Sequence, residues 1–145
     1  MTYATLADLR MTMSERTLIA LSNDDGAANK INQPVIEAAL AAAKEVADGY
    51  LRGRYVLPLS STPTIIRDIS IALARHWLYA RRADGKDLPD AVTRTYKAAL
   101  EMLREIQNGK MTLGILSGKD APEPGRVRVR AKAATFPKKL MDKYH

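Results

Sequence analysis

A chain of 145 residues, 46% hydrophobic and 27% charged, fits one ordinary globular domain and excludes wholesale disorder or a fibrous repeat. It has no cysteine, which removes a disulfide framework, a thiolate metal site and a cysteine nucleophile together. The net charge of +7 is uneven: Ser117 to His145 carries eight Lys or Arg against three Asp or Glu, net +5, leaving +2 from 15 basic and 13 acidic residues before it.

The first eight residues show no basic start followed by a long apolar stretch, and no run reaches the roughly 18 apolar residues that cross a bilayer, so neither a signal peptide nor a membrane contact is expected. Asp8, Leu9, Met11 and Met13 have approximately helical spacing, and Ser14 before Glu15-Arg16-Thr17 reads as the cap of a second short helix through Leu18 and Leu21. Asn23, Asp24, Asp25, Gly26 and Asn29 are turn formers. A long helix then follows, with Asn32 as its cap, Pro34 in its first turn, and an apolar stripe of Val35, Ile36, Ala39, Leu40, Ala43, Val46, Ala47, Tyr50 and Leu51. Gly53 is placed to end it, and Arg54-Tyr55-Val56-Leu57-Pro58-Leu59 is extended by its proline and branched residues.

Thr62 as cap and Pro63 as first helical residue restart a helix in which Ile65, Ile66, Ile69, Ile71, Leu73, Trp77 and Leu78 are apolar on more than one face, which predicts the centre of the core. A turn at Ala83-Asp84-Gly85-Lys86-Asp87 leads to a last long helix opened by Pro89 and stopped by Asn108-Gly109. Beyond it, Gly114, Gly118, Pro122, Pro124 and Gly125 interrupt the chain, while Val127 and Val129 alternate with Arg126, Arg128 and Arg130 as in a strand. The expectation is a mainly α protein: a helical domain over 1–114, with short N-terminal helices and an extended interhelical loop, and an extended basic arm over 115–145.

No arrangement points to catalysis, metal or cofactor, and an enzyme is not expected. The Asn23-to-Asn29 segment has the oxygen-rich composition of a calcium loop but neither its alternating ligand spacing nor its closing glutamate, so a plain turn is favoured. His76 lacks the Cys or acidic partner at helical spacing that a zinc site needs and reads as a partly buried, hydrogen-bonded residue. The isolated glycines make no phosphate loop, and Ser60, Ser61 and Thr62 suit capping better than nucleophilic attack. Arg75, Arg81 and Arg82 near Trp77 and Tyr79 are the materials of a nucleic-acid surface, but they are dispersed, and a small non-specific or regulatory DNA-binding protein is the alternative reading.

The stretch Tyr50-Leu51-Arg52-Gly53-Arg54-Tyr55-Val56-Leu57-Pro58-Leu59 resembles the small proteins of Mu-like phages and prophages related to head-tail connector and head-completion proteins. Tyr3 to Leu9, the Pro-x-x-Ile-Arg-x-Ile pattern from Pro63 and Asn108-Gly109-Lys110-Met111-Thr112-Leu113-Gly114 fit the same family, as does a tail with Phe136, basic residues and Leu140. The Asp24-Asp25-Gly26 loop is less acidic than the family pattern, which counts against carrying an ion role over to it.

The resemblance implies a virion structural protein at the head-tail junction, assembled in the host cytoplasm. It implies a four-helix-type adaptor that forms a ring of twelve copies beneath the portal protein, meets a tail-completion or tail-terminator protein, and continues the channel for packaged DNA, which it contacts non-specifically. Under that reading Arg52, Gly53, Arg54, Tyr55, Val56, Leu57 and Pro58 form an intersubunit or channel loop, the alternative being an ordinary connection folded onto its own core. Arg126, Val127, Arg128, Val129 and Arg130 then offer an edge for docking on the portal or a neighbouring copy, with Phe136 and Leu140 as apolar anchors and Lys138 and Lys139 for an acidic surface or DNA. The bland alternative is a solvated tail.

Overall fold

A computed structural model describes residues 1–81 and 86–115. Within them the chain forms five helices: α1 Leu6–Arg10, α2 Glu15–Ser22, α3 Gln33–Leu51, α4 Thr64–Ala80 and α5 Asp90–Gln107. The mainly α reading therefore holds, with three long helices and two short ones. The turn at residues 82–85 and the arm from residue 116, including Arg126 to Arg130, Phe136, Lys138, Lys139 and Leu140, lie outside the described residues.

Local chemistry sets several helix ends. Thr5 caps α1 through a capping box: its side chain accepts from the Asp8 N–H, and Asp8 Oδ2 accepts from the Thr5 N–H at 2.9 Å. Ser14 caps α2, its hydroxyl oxygen accepting from the Thr17 N–H at 3.1 Å. Asn32 is the cap residue of α3 but makes no side-chain cap bond; its own N–H instead donates to Ser22 Oγ at 3.0 Å. Thr62 is not the cap of α4 as its chemistry suggests. The cap is Pro63, whose extended ψ of 150° keeps it outside the helix, and Pro89 stands in the same relation to α5. Gly53 does not terminate α3 either: the helix ends at Leu51, and Arg52 closes it with an αR backbone.

At the end of α5, Gly109 takes φ +82°, the Gly109 N–H donates to the Ile106 carbonyl, and the Lys110 N–H donates to the Glu105 carbonyl at 2.9 Å. This pair of bonds is a Schellman closure, which needs a left-handed residue and explains the glycine.

Three hydrogen bonds fix the helix directions. Arg54, just past α3, bonds the Gln107 carbonyl at the end of α5, so the C-termini of α3 and α5 lie together. Arg81, just past α4, bonds the Leu21 carbonyl at the end of α2, where Ser22 also holds the start of α3. Hence α4 runs antiparallel to α3 and α5, an up-down-up bundle with α4 packed against all four other helices. Its Ile66, Ile69, Leu73, Ala74 and Leu78 are buried, as the centre-of-core expectation requires. They meet the α3 face of Ile36, Ala39, Leu40, Ala43, Ala47 and Leu51, whose alanines permit close helix approach, and Ala99, Leu103 and Ile106 of α5. Val46 departs from the expected stripe and is 41% exposed.

Candidate functional site

The loop singled out in the sequence is anchored to the C-terminal end of α5 and the segment after it by two consecutive side chains. Arg54 Nε donates to the Gln107 carbonyl at 2.9 Å, placing a cation on the negative end of α5. Its guanidinium also lies against Gly109, where a Cβ would come within 2.9 Å of Arg54 Cζ. Tyr55 is 2% exposed, and its hydroxyl oxygen accepts from the Leu113 N–H at 3.1 Å. Residues 50–59 and 108–114, two separate motifs of the sequence, thus form one joint.

From this joint Arg52, Gly53, Val56 and Pro58 face outward, Leu57 is partly buried, and the Leu57–Pro58 peptide is cis. Val56 is 50% exposed, one of four large apolar side chains exposed among the described residues. Arg52 makes no ion pair among the described residues.

Beside the joint, the N-terminal segment is tied to α3 by a buried polar cluster that sequence reading missed. Tyr3 donates its hydroxyl proton to Asp48 Oδ1, and Lys44 Nζ sits 2.7 Å from Asp48 Oδ2 and 5.5 Å from the Tyr3 ring centroid. Burial raises the Tyr3 hydroxyl far above its usual range, the hydrogen bond to Asp48 and that carboxylate's charge raise it further, and Arg52 opposes them. The missed signal was an aspartate set four residues after Lys44 and between Ala47 and Leu51 on the buried stripe of α3.

At the opposite end, Arg81 donates to the Leu21 carbonyl at 2.8 Å and pairs with Asp24 at 3.1 Å, while Asp25 Oδ1 accepts from the Ala27 N–H at 2.9 Å. A shallow cleft of about 300 Å³ opens there over Arg16 and the loop. The turn reading of this loop stands, and the arginine considered for nucleic acid braces it. His76 stacks on Tyr96 with ring centroids 3.6 Å apart and an interplanar angle of 11°, and this ring contact, not a side-chain hydrogen bond, is what it makes among the described residues. Its burial lowers the imidazole's basicity. Trp77 packs against the core, as anticipated, and so does Tyr79. Among the described residues no three His, Asp or Glu come together as metal ligands, and no helix is long and apolar enough to cross a membrane.

A second outward feature is a cleft between α1 and the outer face of α4. One part, of about 450 Å³, runs between Asp8, Met11 and Arg67, and another of about 210 Å³ reaches Ala72, Arg75 and Thr95; Thr12, Asp68 and Ile71 line both. The second apolar face of α4 noted in the sequence supplies Ile71, and only the fold brings Met11 beside it.

The family model described as Bacteriophage Mu, Gp36 matches residues 3–131. The chain belongs to this Mu phage family. It is 30% identical over 141 residues to gene product J of Escherichia phage Mu, covering 96% of each chain. It is also 30% identical over 88 residues to the Mu-like prophage FluMu protein gp36 of Haemophilus influenzae, covering 61% of this chain and 59% of the other. The family match spans the whole joint and reaches Arg126 to Arg130, but ends before Phe136, Lys138, Lys139 and Leu140.

Proposed function

We propose that the chain is a virion structural subunit, a head-tail adaptor that forms a ring below the portal and continues the DNA channel toward the tail, with no catalytic role. The observation that carries this reading is the joint: two family motifs far apart in sequence meet at one end of the bundle and present Arg52 and Val56 outward on a fixed backbone. A ring requires one patch of a subunit to meet a different patch of the next, and such a fixed, outward loop serves that need. Membership of a Mu phage family along most of the chain supports a phage role, and a basic C-terminal arm of net +5 suits docking on an acidic surface or DNA. The proposed partners are the portal protein, further copies of the chain, a tail-completion protein and, non-specifically, packaged DNA.

The experiment is inactivation of the gene in its phage, followed by electron microscopy and complementation. DNA-filled heads and finished tails accumulating unjoined, with the protein found at the junction of complemented virions, is the expected result. Normal joined virions without the gene would refute the adaptor role. The net charge of +7 also favours DNA contact, and the two readings separate in a footprinting assay: an adaptor binds weakly, with steep salt dependence and no sequence preference, whereas a regulator protects a defined site.

A further inference from the structure

The loop and the α1–α4 cleft have complementary chemistry. The cleft is lined on one side by Ile71 and Ala72 and on the other by Met11, which is 84% exposed, so it has an apolar wall that no other described residue covers. Asp68 lines both parts of it, with 62% of its side chain exposed and, among the described residues, only a long 4.0 Å ion contact to the adjacent Arg67. At the inner end Arg75 Nε is buried without a hydrogen-bond partner, an unmet donor.

The loop supplies a counterpart to each. Val56 is an exposed apolar knob, and Arg52 is an exposed cation with no ion pair among the described residues. Main-chain groups of residues 56–61 make no hydrogen bond to one another or to other described main-chain groups, so their carbonyls are not taken up by main-chain pairing among the described residues. The anchors at Arg54 and Tyr55 hold this segment in place before it meets anything, which reduces the ordering that docking requires.

We infer that the loop around Val56 of one copy seats in the α1–α4 cleft of the next, Val56 against Ile71 and Met11, Arg52 toward Asp68, and a loop carbonyl near Arg75. Knob and cleft are different patches of one chain, so the contact is head-to-tail and propagates from copy to copy instead of ending at a pair. The inference deepens the adaptor reading and rests on its requirement for self-assembly.

The absence of native cysteine makes the test clean. The full-length chain carrying Val56→Cys and Ile71→Cys is oxidised at assembly concentration and run without reductant, beside each single variant. A ladder extending past the dimer from the double variant, with neither single variant giving one, is the expected result. In parallel, Arg52→Asp and Asp68→Arg should each weaken self-association at least about tenfold in sedimentation, and the two together should restore most of it. Circular dichroism confirms that each variant is folded. Oligomers that form without the ladder overturn this interface while leaving the adaptor reading intact. Dimers alone, from Met11→Cys by itself, would show a two-fold contact at the cleft and overturn it as well. A chain that stays monomeric both alone and on the portal sinks both.

Discussion

Replacing Tyr3 by Phe tests whether the buried cluster at Asp48 fastens the N-terminal segment to the bundle. The ring stays, so packing around it and the 5.5 Å approach of Lys44 to its face are kept, and only the hydroxyl is lost. Asp48 is 3% exposed and accepts from two donors, Tyr3 and Lys44; without the Tyr3 hydroxyl, the buried Oδ1 has one donor fewer. A hydrogen bond to a charged acceptor contributes about 1.5–3 kcal/mol, and the burial of Asp48 places the expected loss in that range. The Lys44 pair contributes less, about 1 kcal/mol, because Lys44 is 30% exposed and water screens it.

For a domain of this size the Tyr3→Phe loss corresponds to a fall in Tm of about 5–12 °C, measured by calorimetry or urea unfolding near neutral pH. The sign of the pH dependence follows from the same contact. The folded hydroxyl titrates above the unfolded value of 10.0, so the folded state retains a proton that the unfolded chain releases above that pH. The contribution is fully present below pH 10 and is lost as pH rises beyond it, and the difference between the wild type and Tyr3→Phe should narrow there. A Tyr3→Phe chain within about 0.5 kcal/mol of wild type, with no narrowing at alkaline pH, would refute the reasoning.

Three further outcomes are expected. Gly109→Ala forces a side chain into φ +82° and against the Arg54 guanidinium, and should cost about 1–2 kcal/mol and loosen the joint, seen as faster amide exchange at Leu113. Leu103→Ala, at a fully buried site on α5, should cost about 2–5 kcal/mol in urea unfolding, whereas Val56→Ala, half exposed, should change monomer stability by under about 0.5 kcal/mol. His76→Phe keeps a ring against Tyr96 but removes a group whose folded basicity lies below the ordinary 6.5; the wild type should therefore lose stability as pH falls below about 6.5 while the variant lacks that component, and parallel acid profiles would count against this.

The joint also determines which substitution can probe assembly. Arg54 looks in the sequence like the natural choice for charge reversal, yet its Nε holds the Gln107 carbonyl and its head group packs on Gly109, so Arg54→Glu would disturb the fold and any interface together. Arg52 is exposed and makes no ion pair among the described residues, so its reversal leaves these anchors intact and changes the fold only through its charge on the Tyr3 hydroxyl.

Much of the architecture was determined by the sequence alone because it rests on local chemistry. Helical periodicity marked the three long helices and placed a short one near Asp8 and Leu9, although Met11 and Met13 of that spacing lie beyond its end at Arg10; Ser14 announced its cap; Asn108-Gly109 announced the closure of α5, since a left-handed residue is needed there whatever surrounds it. Apolar residues on more than one face of α4 identified the central helix. Where competing neighbours decide, the sequence was silent. Whether Thr62 or Pro63 caps α4 depends on how the preceding loop enters, and Asn32 gives up its cap bond while its N–H is taken by Ser22. Tyr55 and Val56 are adjacent and both apolar enough to be buried. Only the packing of residues 108–114 against the loop sends Tyr55 inward to Leu113 and leaves Val56 outside. The same holds for Asp48, whose burial is tolerable only because Tyr3, 45 residues away, reaches it, and for the α1–α4 cleft, whose walls are remote in sequence. Contacts of that range depend on which faces the helices turn toward one another, and that is settled by the bundle as a whole.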